Sequence, residues 1–335
     1  MIVEAIRRAA AREDLGYEAS ERVMDEIMSG GATDIQMAAY LTAMSVKGET
    51  IDEIIGSAAG MRRHCVRLLH DMDVLEIVGT GGDGSDSFNI STTSAVVISA
   101  AGIPVAKHGN RAATSKSGAA DVLEALGANI GVPPERSLAM LKEIGLCFLY
   151  AQNYHIAMKY VAPVRRELGI RTIFNILGPL VNPAGANREL LGVYEEALVE
   201  PMAKVLVGLG VKNAYVVFGL DGLDEISVSA PTSVCEVRDG FIRSFIISPE
   251  DLGMPFSDKS ELEGGSPDEN AAITREVLSG VKGARRNAVL LNSAAAIHIG
   301  RPEISLEEGI GIVEEVIDSG KALAQLERFV VMSNE

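Results

Sequence analysis

Two stretches of this 335-residue chain put backbone and basic groups where a phosphate could be held. Gly79-Thr80-Gly81-Gly82-Asp83-Gly84 follows a short, mostly apolar run from Val74 to Val78. Glycine lets backbone N–H groups approach an anion closely, so the loop is suited to wrapping a diphosphate. A helix predicted from about Ser91 to Ala101 would aim free N–H groups and the positive end of its dipole at the same anion. Asn89, Ser91 and Thr92 fall at its start, where such residues cap a helix as readily as they touch a ligand. The second stretch is Lys107-His108-Gly109-Asn110-Arg111, which follows Ile103-Pro104-Val105-Ala106 and precedes Ser115-Lys116-Ser117-Gly118. Taken alone it reads as a solvated loop. In an open parallel sheet, however, loops after strand C-termini line the ligand crevice, so both stretches point into one place. Adjacent carboxylates, Asp224-Glu225, lie beyond a further apolar run, Tyr215 to Phe218, and an Asp221-Gly222 turn. Alone they read as a solvated acidic turn; beside two anion loops they read as part of the crevice.

The glycine loop formally satisfies G-x-G-x-x-G after a strand, the pattern of a dinucleotide-binding turn. Two features oppose that reading. Five residues, Ser85 to Asn89, separate the last glycine from the helix, and Ala100-Ala101-Gly102 stands where an acidic ribose ligand would be needed.

The elements that must position these groups alternate. After about 70 residues that read as helices, with capping boxes at Thr33/Gln36 and Thr50/Glu53, strands are predicted at Val74–Val78, at Ile103–Ala106, and over Leu146–Tyr150 and Tyr215–Phe218. Helices are predicted over Ala119–Leu126 and Glu135–Ile144, between strands. Ser233–Val237 and Phe241–Ile247 flank Asp239-Gly240 as a β-hairpin. The C-terminus returns to helix over Arg285–Ile297 and Leu306–Phe329. Strands alternating with helices call for an α/β fold, a mostly parallel central sheet flanked by helices, beside a small all-helical domain.

Bulk properties narrow the chemistry. With 47% hydrophobic and 23% charged residues the chain has the balance of a globular protein, long enough for two domains. Its net charge of −16 disfavours nucleic-acid binding, although a few local basic groups and metal ions still suffice for a phosphorylated small molecule. Cys65, Cys147 and Cys235 are scattered, with neither metal-ligand nor disulfide spacing, which fits a reducing cytoplasm. The opening Met1-Ile2-Val3-Glu4 is not signal-like, and no apolar run reaches the ~18 residues of a membrane span.

In order and spacing the motifs resemble those of the anthranilate phosphoribosyltransferase family, within the class III nucleoside phosphorylase fold. They are Gly79-Thr80-Gly81-Gly82-Asp83, Asn89-Ile90-Ser91-Thr92, Lys107 to Ala112, Ser117 to Glu124, Arg171 to Leu180 with Asn182-Pro183, Asp224-Glu225, and Gly264 to Ala272. The resemblance covers nearly the whole chain. It implies transfer of the phosphoribosyl group of 5-phosphoribosyl 1-pyrophosphate to anthranilate, in tryptophan biosynthesis, by a cytoplasmic homodimer. It admits association with an anthranilate synthase component and calls for no nucleic acid and no membrane. A small domain would combine residues 1–70 with about 165–188; the large domain would hold 71–164 and 189–335.

The same resemblance implies a phosphoribosyl pyrophosphate site at Gly79, Gly82, Asp83, Ser87, Asn89, Ile90, Ser91, Thr92 and Lys107, continuing through His108, Gly109, Asn110, Arg111, Ala112, Ala113, Thr114, Ser115 and Ala119. Anthranilate would meet Gly79, Asn110, His155 and Arg165, the guanidinium pairing with its carboxylate. Two Mg2+ ions per subunit would be held by Ser91, Asp224 and Glu225, bridging to phosphate oxygens. Catalysis would be electrostatic and positional, with Lys107 and Arg165 in support. His108 and His155 are the acid–base candidates by type, but an arylamine is already a neutral nucleophile near pH 7, so both are expected to line the acceptor channel. Arg165-Arg166 also suits exposed helix charges. One residue departs from the family pattern: Ala119 stands where a serine is usual, and a hydroxyl contact to the ribosyl substrate is lost. A pyrimidine nucleoside phosphorylase shares the fold class but would lack the Asp224-Glu225 pair.

Overall fold

The structure is a computed structural model that describes residues 1–112 and 115–335. Its first 65 residues form four helices, α1 (Ile2–Ala10), α2 (Tyr17–Met28), α3 (Asp34–Lys47) and α4 (Ile51–Arg63). Both expected capping boxes are formed, at Thr33/Gln36 and Thr50/Glu53. Each satisfies two orphan donors at once and fixes where its helix begins. Glu53 does this while fully buried, also accepting from Leu15 N (2.8 Å) and Lys47 Nζ (2.9 Å).

The chain then alternates: β1 (Leu75–Gly79), α5 (Ile90–Ala100), β2 (Val105–Gly109), α6 (Ala119–Ala125), α7 (Pro134–Ile144) and β3 (Leu146–Tyr150). Three short helices follow, α8 (Ala151–Tyr154), α9 (Ala162–Leu168) and α10 (Phe174–Leu177), before β4 (Arg188–Gly192), α11 (Val199–Gly208) and β5 (Asn213–Gly219). The hairpin β6 (Thr232–Arg238) and β7 (Phe241–Ile247) turns at Asp239-Gly240, both at positive φ (48° and 85°), as a tight hairpin requires. Helices α12 (Pro267–Leu278), α13 (Ala284–Gly300), α14 (Leu306–Asp318) and α15 (Lys321–Asn334) complete it. Among the described residues seven strands lie in the order β3-β2-β1-β4-β5-β6-β7. Strands β1 to β5 pair in parallel; β6 and β7 are antiparallel additions at one edge.

The sheet separates two cores. One lies under α5 and α12–α15 and takes Leu75, Ile77, Val105, Leu190, Tyr215 and Val217 from the strands. The other takes Leu191, Val193, Ala214, Val216 and Cys235, and joins them to α11, the four N-terminal helices and the segment Val161–Val181. The small helical layer thus borrows chain from the middle of the sequence. Among the described residues no helix is long and apolar enough to cross a membrane.

Three sequence expectations need correction. β4 was not anticipated: it opens with Arg188-Glu189 rather than an apolar run, yet it is the central strand between β1 and β5. Helices α11 and α12 likewise lie outside the expected elements. The single C-terminal helix is two, broken where Gly320 takes φ 79°.

Candidate active site

The strand order turns between β1 and β4, since β1 leads to β2 on one side while β4 joins on the other. In an open α/β sheet that switch point, at the strand C-termini, is where ligands bind. Here the register pairs two C-terminal glycines, Gly79 on β1 and Gly192 on β4. A side chain on Gly79 would run into the Asp224 carboxylate, and one on Gly192 into the Asp224 backbone. The glycines are thus the seat of Asp224, which reaches the switch point from the bend after β5.

The glycine loop is tied to that carboxylate. Gly81 N donates to Asp224 Oδ2 (2.7 Å), and Asp224 N donates to Asp83 Oδ2 (3.4 Å). Gly81, Gly82 and Gly84 have φ of 67°, 75° and 70°, a conformation that disfavours any residue with a side chain. No helix opens at the last glycine; α5 begins at Ile90, so the dinucleotide arrangement is absent. Ser91 N, in the first turn of α5, donates to Glu225 Oε1 (3.1 Å). Asn89 occupies the N-cap position without capping. Its amide instead donates to Ser117 O (3.1 Å) and accepts from Asn270 Nδ2 (2.9 Å), stitching the two anion loops and α12 together. Thr92 and Ile90 are buried, and Ser87 bridges to Glu263.

Lys107 enters from β2 and is only 4% exposed, with Nζ donating to Ile77 O (2.7 Å) and to Ser91 Oγ (3.4 Å). Burial lowers the pKa of its ammonium, opposed by the carboxylates of Glu76, Glu225 and Asp224. Burial and the neighbouring Asp83 push Asp224 up to about 7, and burial and Asp224 push Glu225 up to about 8. One ammonium therefore faces several crowded acids, and positive charge is in deficit there. Among the described residues no three His, Cys, Asp or Glu side chains form a ready-made metal cage. Two buried carboxylates and the Ser91 hydroxyl fit a cation that takes its other ligands from phosphate and water, as magnesium does.

On the far face of β2, His108 and His155 are buried with their rings 5.0 Å apart. Burial, with a contribution from His155, takes His108 down to about 3; burial takes His155 to about 4. Both are neutral imidazoles at pH 7 and unsuited to donating a proton there. Arg165 is half-buried on α9, its guanidinium 5.1 Å from the Phe174 ring centroid, and burial lowers its pKa. Among the described residues it makes no ion pair with an acid, whereas Arg166 is exposed. Asn110 is exposed just past β2, its side chain accepting from Arg111 N (2.8 Å). Arg111 is committed to Asp121 (2.9 Å) and Glu124 (2.5 Å) of α6, and Ala112 N donates to Asp121. Ser115 is exposed, and Ala119 opens α6 packed against Gly109. Ala113 and Thr114 lie outside the described residues.

Residues 71–323 match the glycosyl transferase family a/b domain, and residues 3–65 the helical bundle domain of the same family. The chain is 63% identical over 334 residues to anthranilate phosphoribosyltransferase of Lachnoclostridium phytofermentans, covering 100% of this chain and 99% of that one. It is 61% identical to that of Methanobrevibacter smithii, covering all of both. The chain belongs to the anthranilate phosphoribosyltransferase family. The structure of the Thermus thermophilus anthranilate phosphoribosyltransferase superposes with a TM-score of 0.94 at 42% identity, over 99% of each chain. The Saccharomyces cerevisiae enzyme in complex with PRPP and Mg gives 0.92 at 30% identity, over 99% of this chain and 98% of that one.

Several residues of this family member escaped the sequence reading as parts of the site. Glu76 is fully buried on β1, with both carboxylate oxygens 3.1 Å from His108 N and a further bond from the Asn182 amide, which also donates to Ala106 O (2.8 Å). Beside it in register stands Glu189 of β4, 3% exposed. A charged residue inside the apolar run Val74–Val78 was the available signal for Glu76. Gly192 had none, because its strand was not recognised.

Proposed function

We infer that this chain transfers the phosphoribosyl group of 5-phosphoribosyl 1-pyrophosphate to the amino group of anthranilate, releasing pyrophosphate and N-(5-phosphoribosyl)anthranilate for tryptophan biosynthesis. The observation that carries this is the seating of Asp224 over Gly79 and Gly192 at the switch point, between a glycine loop and a buried lysine. The bond from ribose C1 to the pyrophosphate oxygen breaks as a bond from the amine nitrogen to C1 forms. Positive character grows on the sugar and negative charge on the leaving group, so the chain's task is to steady the diphosphate and place the amine. Backbone N–H groups of the Gly79–Gly84 loop, the α5 N-terminus from Asn89 to Thr92, and Lys107 serve the diphosphate. The loop from His108 to Ser115, with Ala119, completes that side. Arg165, with Asn110, His155 and Gly79, receives anthranilate, whose carboxylate supplies the anion that the guanidinium lacks.

Ser91, Asp224 and Glu225 would hold magnesium, two ions per subunit with Glu225 shared. Bound there, magnesium neutralises phosphate charge as the leaving group departs. The raised carboxyl pKa values support this, since acids crowded without a cation are what such an ion relieves.

We further place the small domain at residues 1–70 with 165–188, on the strength of the core that joins α1–α4 to Val161–Val181. A homodimer is supported by an apolar cleft of about 560 Å³ between α1 and α3, lined by Ile6, Ala9, Ala38, Ala43 and Val46 among others, with Ile35 83% exposed nearby. A cytoplasmic site fits three unpaired cysteines, and association with an anthranilate synthase component belongs to the same reading. The test is direct: mix protein, anthranilate, phosphoribosyl pyrophosphate and magnesium, and follow the loss of anthranilate fluorescence. Persistent fluorescence across protein and magnesium concentrations would overturn the assignment.

A further inference from the structure

Beyond the residues assigned above, one basic side chain reaches the glycine loop from the helical layer. Arg171 lies between α9 and α10, and its Nη2 donates to the carbonyl oxygen of Gly82 (2.5 Å). The guanidinium also stacks on Tyr194, 4.1 Å from the ring centroid, just past the end of β4. Its own carbonyl accepts from Ser45 Oγ of α3 (3.0 Å), so the backbone behind the side chain is anchored as well. Three contacts from three different elements converge on one residue.

The loop needs such a hold. Three of its residues are left-handed glycines with no side chain to lock them, and glycine moves between φ regions at little cost. Within the loop, the N–H groups of Thr80 and Gly81 are held by Gly192 O and by Asp224, the Asp83 carboxylate accepts from Asp224 N, and Arg171 holds the Gly82 carbonyl. A trans peptide is planar with its C=O and N–H opposed. Anchoring the Gly82 carbonyl toward Arg171 therefore turns the N–H of Asp83 the opposite way. We propose that Arg171 is a positioning residue: it sets the Gly82–Asp83 peptide so that the loop's N–H groups are presented to the diphosphate before the substrate arrives. Preorganisation of this kind raises affinity by removing an ordering cost from binding. The aromatic stack on Tyr194 holds the guanidinium in plane, which a flexible lysine could not reproduce. The inference rests on the phosphoribosyl pyrophosphate reading of this loop.

The test compares Arg171→Ala, Arg171→Lys and Tyr194→Leu in steady-state kinetics and in magnesium-dependent calorimetric binding of phosphoribosyl pyrophosphate. Arg171→Ala is expected to raise the KM and Kd for phosphoribosyl pyrophosphate about tenfold, the low end for one hydrogen bond to a charged group. The KM for anthranilate should stay within about twofold and kcat within about threefold. Arg171→Lys should recover less than half of the loss on a logarithmic scale, and Tyr194→Leu should reproduce part of it. Because Arg171 is exposed, the melting temperature should scarcely move. An unchanged phosphoribosyl pyrophosphate affinity, a shift confined to anthranilate, or full recovery by lysine would each overturn the positioning role. If the unsubstituted protein binds no phosphoribosyl pyrophosphate, it is the functional reading that fails.

Discussion

Substituting Glu189 by glutamine should make this protein more stable, and more so the higher the pH. Glu76 and Glu189 stand abreast on β1 and β4 inside the fold, and among the described residues Glu189 Oε1 has no hydrogen-bond partner. Neighbouring strands lie ~4.8 Å apart; two ionised carboxylates about 5 Å apart at an effective dielectric of about 20 repel by roughly 3 kcal/mol. The fold avoids this by keeping a proton: burial carries Glu76 from 4.5 up to about 8, and burial and Glu76 carry Glu189 well above its usual value. Holding the Glu76 proton at pH 7, roughly 2.5 pH units above 4.5, costs about 3.5 kcal/mol at about 1.4 kcal/mol per pH unit. The sign follows from the direction of the shift. A carboxyl raised in the native state releases its proton on unfolding, so its contribution is intact below about pH 4.5 and is lost as pH rises toward 8. Glu189→Gln removes the like charge, and its amide can donate to Glu76. Urea unfolding should show the variant ahead by a margin that widens from pH 5.5 to pH 8, up to the roughly 3 kcal/mol of the repulsion. A gap that is flat across this range, closes with pH, or has the variant less stable throughout would refute the shared-proton account.

The double variant Asp224→Asn/Glu225→Gln should lower turnover at least about a hundredfold and weaken magnesium-dependent binding of phosphoribosyl pyrophosphate, with far-UV circular dichroism unchanged. Near-normal activity with the same magnesium requirement would contradict the assignment. Arg165→Ala should raise the KM for anthranilate roughly 10- to 150-fold, the ~1.5–3 kcal/mol of a charge-assisted hydrogen bond, and leave that for phosphoribosyl pyrophosphate nearly alone. Should saturation kinetics show the reverse, the two substrate roles must be exchanged. Ala119→Ser restores a hydroxyl at the first turn of α6, and should improve phosphoribosyl pyrophosphate affinity up to about tenfold. Equal or weaker binding in a titration would mean that Ser115 or Ser117 already supplies the contact.

What the sequence made legible was local. β1, β2, β3 and the hairpin stand out because each is a short, mostly apolar run bounded by a glycine or an Asp-Gly turn, and capping boxes announce α3 and α4. β4 does not, because Arg188 and Glu189 break the run and its stability comes from β1, more than a hundred residues earlier. The glycine loop and Lys107 were readable as anion ligands from their types alone. That Asn89 stitches loops instead of capping, and that Gly192 clears a place for Asp224, depends on contacts between distant segments that no local pattern encodes. Arg111 illustrates the same limit: its neighbours in sequence suggested a phosphate, and its neighbours in space are two acids.

The shared core of the helical layer has a consequence for how the chain is made. Met61 of α4 packs in the same cluster as Val161, and the two are 100 residues apart in the chain. At a synthesis rate of about 5–20 residues per second, the four N-terminal helices wait roughly 5–20 s at the ribosome before their covering segment emerges. Meanwhile the faces carrying Met24, Tyr40, Leu41 and Met44, all fully buried in the finished fold, have only one another to pack against. The leading segment therefore completes its core only once Val161–Val181 has been made, and until then keeps apolar surface exposed.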